Sequence, residues 1–328
     1  MGGVSVIIPT YNRASFLRRS VRSVLEQSYT DLEIVIVDGG STDGTRDVIE
    51  AFDDDRLRIH YRKRPQGLSS ARNKAMELAT GEYIAFLDDD DRLAPSAIET
   101  LVDALVDRPE GCAGAFGGWL TVRNGGETAI RSVPTGTISF EDIRERNVIG
   151  GPSGTLFRTS VFETVGTFDE SLPAREDVDM WMRILDRYTM VGIDEVLYER
   201  SMHDDQLVDD PEKMLYGHEQ IIDRYGESMT DAHRMMRHRW AVKDYVKLGR
   251  SAEARREYRR ALSIDPEERD WYYYAWLHLG TPGYAIGKRF HESVYNRFVY
   301  DDAEAETEIE RSTRPAPLRY LRRLREAM

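Results

Sequence analysis

Tyr83-Ile84-Ala85-Phe86-Leu87-Asp88-Asp89-Asp90-Asp91 is an apolar run that ends in four consecutive carboxylates. Its length and its branched and aromatic residues predict a buried strand rather than a helix. Three similar runs precede it, at residues 4–8, 33–37 and 57–61. The segments between them have helical spacing: Leu17, Val21, Val24 and Leu25 make one apolar stripe, and Leu68, Ala71, Ala75 and Leu78 another. Alternation of this kind predicts an α/β fold, a mostly parallel sheet flanked by helices. In such sheets a ligand crevice lies outside the carboxyl ends of the strands. The first, second and fourth runs all end in polar or glycine-rich stretches, at residues 9–12, 38–43 and 88–91, so the site is expected there.

Further along, residues 112–133 are glycine-rich and read as additional strands with a turn at 124–126. Another polar cluster stands at Glu176-Asp177-Val178-Asp179-Met180-Trp181-Met182-Arg183. Met180, Ile184 and Leu185 have the spacing to pack a helix inward, and Glu176 and Asp177 fall at its start, where the helix dipole favours negative charge. Beyond Pro211 the chain reads as helical. Residues 245–266 are similar to half of a tetratricopeptide unit, with Leu248-Gly249 and the small Ala252, Ala254 and Ala261. The expected division is an α/β domain at 1–205, in two halves, one to about 110 and one at 111–205. A helical region at 206–300 and a charged tail at 301–328 complete it.

With 328 residues, 41% of them hydrophobic, the chain can bury one sizeable core plus a smaller appendix. No apolar run is long enough to span a bilayer. The N-terminus enters the first strand with no basic region or cleavage site, so a cytoplasmic location is expected. The aromatics of residues 271–276 and 284–300, with Lys288, Arg289 and Arg297, either pack a helical appendix or make peripheral contact with the cytoplasmic face of a membrane. Cys112 is the one cysteine, which excludes an intramolecular disulfide. A net charge of −13 disfavours nucleic acid as a partner. Only six of the 45 basic residues are lysine, and an acidic, arginine-rich surface of this kind suits a halophilic cytoplasm.

Four adjacent carboxylates at a strand end repel one another unless a cation relieves them. Hard divalent ions such as Mg²⁺ or Mn²⁺ take carboxylate oxygens and share their remaining positions with substrate phosphates. On an extended segment Asp88 and Asp90 would point to the same side and converge on such an ion; a solvated acidic loop is the alternative. In Val35-Ile36-Val37-Asp38-Gly39-Gly40-Ser41-Thr42-Asp43-Gly44 a buried strand runs into a tight turn. There the Asp38 carboxylate could accept from the imide N–H of a uracil-like base, or the turn could be an ordinary strand-to-helix connection. Asp177 has the chemistry of a general base for an acceptor hydroxyl. His203 follows a strand-like stretch, and both a metal-shell and a surface position are open to it.

The ordered set Pro9-Thr10-Tyr11-Asn12, Val37-Asp38-Gly39-Gly40-Ser41-Thr42-Asp43-Gly44-Thr45, Ala71-Arg72-Asn73 and Gly81 to Asp91 closely resembles family 2 glycosyltransferases. Val165-Gly166-Thr167-Phe168-Asp169-Glu170 ahead of Glu176-Asp177 extends the resemblance, which covers about residues 4–205. It implies an A-type glycosyltransferase (GT-A-like) fold and an inverting, metal-dependent transfer of one sugar from a nucleotide-diphosphate sugar, UDP-linked first, to an acceptor hydroxyl. By that likeness Pro9, Tyr11 and Asp38 bound the base and ribose, and Arg72 and Asp89 sit by the nucleotide. Asp88 and Asp90, with His203, frame a Mg²⁺ or Mn²⁺ ion. Asp177 deprotonates the acceptor, a glycan or lipid-linked glycan, and Glu176 and Trp181 shape the acceptor side. The chain departs from the pattern at Gly39, where many relatives carry a second acid, and Met236 precedes Arg239-Trp240 where processive membrane relatives carry Gln. Two rival classes are a sugar nucleotidyltransferase and a non-catalytic binding protein. The first usually has a glycine-rich, basic loop after strand one, where this chain has Pro9-Thr10-Tyr11-Asn12.

Overall fold

The computed structural model describes residues 3–123, 126, 128–203 and 210–264. Strands β1 (Val4–Thr10), β2 (Leu32–Asp38), β3 (Leu57–Tyr61) and β4 (Tyr83–Phe86) alternate with helices α1 (Ala14–Leu25), α2 (Thr45–Glu50) and α3 (Leu68–Leu78). All seven residues of β1 are buried, as its continuous apolar run requires of a strand covered on both faces. Then follow β5 (Arg92–Leu93), α4 (Ala97–Val106), β6 (Cys112–Arg123), β7 (Thr128–Arg131), β8 (Gly136–Ile138), α5 (Phe140–Glu145), β9 (Thr155–Arg158), α6 (Val161–Val165), α7 (Glu176–Leu185) and β10 (Thr189–Met202). Helices α8 (Pro211–Tyr225), α9 (Asp231–Lys247) and α10 (Ser251–Ile264) complete the described chain.

The strands form one sheet in the order β3-β2-β1-β4-β9-β6-β10-β5, with β7 added on β6 and β8 on β10. Pairing is parallel from β3 through β4, as the alternating pattern requires. Beyond β4 the sheet is mixed: β9 runs antiparallel to both β4 and β6, β7 is antiparallel to β6, and β6 is parallel to β10. "Mostly parallel" therefore holds for the β3-β2-β1-β4 half alone. The short β6–β7 connection, in which the Gly126 N–H donates to the Arg123 carbonyl, leaves room for no crossover and imposes antiparallel pairing. Strand β1 has β2 on one side and β4 on the other. The chain thus reverses its direction of travel at β1, and a crevice opens at the carboxyl ends of these three strands.

One expected apolar stripe is corrected. Ala71 and Ala75 are buried, but Leu68 is 39% exposed because it begins α3 on the open side of the sheet. In α7, Met180, Ile184 and Leu185 are buried as their spacing predicts. No helix among the described residues is long and apolar enough to cross a membrane.

The chain falls into two compact units, Met1–His233 and Arg234–Met328. Helix α8 belongs to the first. In the second, His238 Nδ1 lies 2.8 Å from Glu257 Oε2, so α9 and α10 are joined by a buried polar pair. Between them Gly249 adopts φ +70°, a turn conformation that suits glycine. The aromatic stretches at 271–276 and 284–300 lie outside the described residues.

Asp179 fixes α7 in the first unit. Its buried carboxylate accepts from Arg183 Nε at 2.9 Å, from Arg224 Nη1 at 2.9 Å and from the Tyr225 hydroxyl at 2.8 Å. Arg183 continues to the carbonyls of Val165 and Thr167. One buried acid therefore ties α7 to α8 and to the segment ahead of it. Asp179→Ala is expected to leave two guanidinium groups each short of one acceptor and a phenol without this partner, destabilising the first unit by about 2–4 kcal/mol. A lower urea midpoint at unchanged m-value checks this; an unchanged midpoint would show that the network carries no stability.

Candidate active site

At the carboxyl ends of β1, β2 and β4 lies a cleft of about 1230 Å³. Three loops form its floor. Asn12, at the end of β1, has φ +54°, and its side chain accepts from the Thr42 N–H at 2.8 Å while its own N–H donates to Ser41 Oγ. The Asp43 carboxylate accepts from the N–H groups of Thr45 and Ala14. These bonds zip the β1 and β2 turns together and set Tyr11 and Gly39 on the cleft wall.

The acid run after β4 is a turn, not an extended segment: the Asp91 N–H donates to the Asp88 carbonyl at 3.1 Å. Its backbone is held from several sides. The Asp88 N–H donates to Ser153 Oγ, Ser20 Oγ donates to the Asp88 carbonyl, and Arg19 Nη2 donates to the Asp90 carbonyl at 2.7 Å. Asp91 is buried and accepts from the Ser201 N–H. Burial raises its carboxyl well above the usual range, as it does that of Asp89, which is pushed up to about 8. Arg13 stands 4.0 Å from Asp89.

Because of the turn, Asp88 and Asp90 meet different partners, which corrects the expectation that they converge as neighbours on one strand face. Asp88 Oδ1 accepts from Arg72 Nη2 at 2.7 Å. Asp90 Oδ2 lies 2.9 Å from His203 Nε2, whose ring is stacked on Phe16 at 4.5 Å. His203 therefore stands at the acid turn rather than on an open surface. Among the described residues no group of three or more His, Cys, Asp or Glu side chains could hold a metal ion by itself. The donors present are hard oxygens plus one imidazole, a set that fits Mg²⁺ or Mn²⁺ sharing its shell with phosphate and water.

Arg72 is almost wholly buried. Its Nη1 donates to Glu176 Oε1 at 2.6 Å, so one guanidinium joins the acid turn to the first residue of α7. The flat face lies over Phe168 at 5.3 Å. Burial alone would weaken its hold on the proton, but Asp88 and Glu176 more than offset this and raise its pKa. Burial leaves the Glu176 carboxyl raised in spite of Arg72. Next to Arg72, Asn73 exchanges two hydrogen bonds with the Phe168 backbone, both at 2.9 Å. Arg175, the residue before α7, has φ +67° and ψ 15°, a left-handed conformation uncommon for a residue with a side chain. It turns the chain so that Glu176 and Asp177 both line the cleft. Asp177 Oδ1 accepts from the Val178 N–H, and its Oδ2 makes no hydrogen bond among the described residues.

The cleft thus gathers Pro9, Tyr11, Arg72, Asp88, Asp89 and Asp90, together with Glu176 and Asp177. Three expected residues do not line it: His203, which stands at the acid turn beside Asp90, Asp38 and Trp181. Asp38 is buried at the end of β2, where Oδ1 accepts from the N–H and hydroxyl of Ser41 and so shapes the turn. Trp181 is fully buried in the core, stacked on Phe157 at 5.1 Å, and reaches the site only through its N–H bond to the Gly150 carbonyl. Helical spacing explains the correction: five residues after Glu176, Trp181 points into the core with Met180 and Ile184. The loop Gly151-Pro152-Ser153 does line the cleft and was missed. The glycines at 150, 151 and 154 were its signal.

A family model described as Glycosyl transferase family 2 matches residues 5–166. The Bacillus subtilis (strain 168) glycosyltransferase TuaG, named for teichuronic acid biosynthesis, is 32% identical over 201 residues, covering 60% of this chain and 77% of that protein. This chain belongs to glycosyl transferase family 2. It is a glycosyltransferase, which sets aside the nucleotidyltransferase and scaffold classes. Some relatives in Rickettsia are longer, and the chain spans 34% of the length of the one from R. conorii. Two solved structures share the fold at 18% identity. Staphylococcus aureus TarS 1-349 with UDP-GlcNAc has a TM-score of 0.51, covering 90% of this chain and 92% of that one. A Pyrobaculum calidifontis mannosyltransferase with GDP-Man and Mn²⁺ has a TM-score of 0.53, covering 90% and 87%. The fold is GT-A-like, as the motifs imply.

The Arg72 bridge gives this glycosyltransferase a specific sensitivity. Arg72→Met leaves the Asp88 and Glu176 carboxylates without their shared cation and is expected to destabilise the first unit by about 3 kcal/mol. Arg72→Lys cannot reproduce a two-pronged fork and should recover little of it. Adding Glu176→Gln to Arg72→Met should restore part of the urea midpoint, since one buried charge is removed. A full recovery by Arg72→Lys would show that charge alone, not the fork, is required.

Proposed function

We propose that this chain transfers a single sugar from a nucleotide-diphosphate sugar, UDP-linked, to a glycan hydroxyl with inversion at the anomeric carbon. A divalent cation at the Asp88–Asp90 turn assists. The observation that carries this is the sharing of one cleft by the acid turn and Asp177, with Arg72 and Glu176 joining them. An acid cluster suited to a diphosphate–metal pair and a carboxylate with a free oxygen are what single displacement needs on opposite sides of one sugar. UDP-GlcNAc in TarS and Mn²⁺ in the mannosyltransferase support the donor and metal classes. The name of TuaG supports a cell-surface glycan as the product.

Tyr11, 45% exposed, and Pro9 offer surfaces for the base and ribose, and Asp38 acts by setting the turn that presents Gly39. Asp88 and Asp90, with His203 beside Asp90, would hold the cation, which when bound neutralises charge on the departing diphosphate. Asp177 takes the proton of the acceptor hydroxyl. The acceptor oxygen bonds to the anomeric carbon as the bond from that carbon to the diphosphate oxygen breaks, and the electron pair leaves with the diphosphate. Glu176, held by Arg72, keeps Asp177 at the start of α7. The catalytic residues all fall within 1–205, and the cytoplasm is the compartment that fits.

Asp177→Asn should lower transfer by about 10²–10⁴-fold, the range expected for loss of a general base, while UDP binding by calorimetry stays within about twofold. Asp90→Ala and treatment with EDTA should both abolish transfer, and Mn²⁺ or Mg²⁺ should restore the EDTA-treated enzyme alone. NMR of the product should show the inverted anomer. Wild-type transfer rates in both variants would sink the assignment of these residues.

A further inference from the structure

A second cavity, of about 320 Å³, lies between the β6–β7 pair and the segment after α5. In register, Trp119 of β6 stands opposite Arg131 of β7 on one side and Tyr198 of β10 on the other. Residues directly opposite on neighbouring strands share a face of the sheet. Arg131, Trp119 and Tyr198 therefore form a row across three strands. The Tyr198 end lines the large cleft, while Trp119 and Arg131 line the second cavity. The Trp119 and Tyr198 rings are stacked, with centroids 5.8 Å apart and planes 29° apart. Gly150, at φ +88°, rests on the indole, and Gly154, at φ +74°, rests on the tyrosine; a Cβ at either would collide with the ring below. The intervening Gly151-Pro152-Ser153 is cleft wall. An aromatic shelf thus runs from the cleft to the cavity beneath one glycine-rich loop.

The cavity has its own charge. Arg131 and Arg146 both line it and are exposed, and neither guanidinium has a hydrogen bond or ion pair among the described residues. In a chain of net charge −13, arginines beside the large cleft such as Arg13, Arg19 and Arg72 face carboxylates of the protein itself. Two guanidinium groups left open toward one pocket fit an external carboxylate or phosphate, whose geometry their N–H forks match. Trp119 and the 45% exposed Ile130 add apolar surface, and Ser132 adds a hydroxyl. Every lining residue lies between 119 and 148, in the half that also carries Asp177 rather than on the nucleotide strands.

We infer that this cavity binds an acidic sugar unit of the acceptor, one bearing a carboxylate or a phosphate, next to the unit whose hydroxyl is glycosylated. The inference rests on the transferase reading above, in which the acceptor enters on the Asp177 side. Trp119 supplies the platform for the sugar ring, and Arg131 and Arg146 take the acid group.

Indole resonances of the ¹⁵N-labelled full chain test this directly, with Trp119→Phe used to assign the Trp119 signal. The probes are methyl β-D-glucuronide, glucose 6-phosphate, methyl β-D-glucoside and inorganic phosphate. The Trp119 signal should shift with the glucuronide or the sugar phosphate, and the stronger of the two identifies the acid. The Arg131→Ala/Arg146→Ala protein should bind that probe about tenfold more weakly or worse, with UDP binding unchanged. A silent Trp119 signal with both acidic probes, an equal shift with the neutral glucoside or with phosphate alone, or undiminished binding by the double variant would each overturn the site. The two ideas fail separately. If Asp177 is not the base, Asp177→Asn transfers sugar normally whatever the cavity binds; if the cavity is empty of function, transfer is intact and the Trp119 signal stays still.

Discussion

The site depends on one buried guanidinium. Arg72 lies between Asp88, 16 residues away, and Glu176, 104 residues away, and among the described residues no other side chain bonds both. A charge taken out of water is tolerable only when paired and hydrogen-bonded. That condition works in both directions here: Arg72 is buried between two carboxylates that raise its pKa, and Arg72 opposes the burial that raises the carboxyl of Glu176. The bridge therefore couples the folding of the nucleotide half to that of α7. Asn73 adds a second tie one residue on, through the Phe168 backbone.

Around this bridge, the groups that hold the loops are largely distinct from the groups left facing the cleft. The acid turn is anchored through backbone atoms by Ser20, Ser153 and Arg19, and through the buried Asp91. The Asp88 and Asp90 carboxylates are not needed for that anchoring. Likewise Asn12, Ser41 and Asp43 lock the β1 and β2 turns among themselves, leaving Tyr11 to the cleft. The left-handed backbone at Arg175 is a local strain that the Asp179 network outweighs, since α7 is tied to α8 and to the segment ahead of it.

Much of this was legible in the sequence because strand ends announce themselves. A continuous apolar run that stops at polar or turn-forming residues marks both the buried strand and the edge of the crevice: β2 and β4 stop at Asp, and β1 at Pro9-Thr10. What periodicity could not supply was direction in space. Asp38 looked like a ligand group because it ends a strand, yet Ser41 three residues later takes its carboxylate inward. Trp181 looked like a site residue because it sits near two acids, yet helical geometry turns it into the core. The acid run looked extended because it follows a strand, but a backbone hydrogen bond closes it into a turn. Long-range pairs such as Arg72 with Glu176 leave no trace in local spacing. The antiparallel half of the sheet was equally hidden, since glycine-rich strands such as β6 carry weak alternation.

On the proposed transfer, electrostatics favours a divalent cation in this cleft. Asp88, Asp89, Asp90, Glu176 and Asp177 all line it, and Arg72 and Arg13 are committed to acids of the chain, Arg72 to Asp88 and Glu176 and Arg13 to Asp89, while Arg200 also lines it. A diphosphate brought into that field meets like charge. Burial of Asp89 and Asp91 relieves part of the repulsion by favouring their neutral forms, but Asp88 and Asp90 remain at the rim. In that proposal Asp88 and Asp90 would hold a divalent ion, whose charge would offset part of the repulsion between these carboxylates and the diphosphate. On the proposed transfer, an arrangement that repels a bare diphosphate favours binding of donor and metal as a pair, so that neither is held strongly without the other.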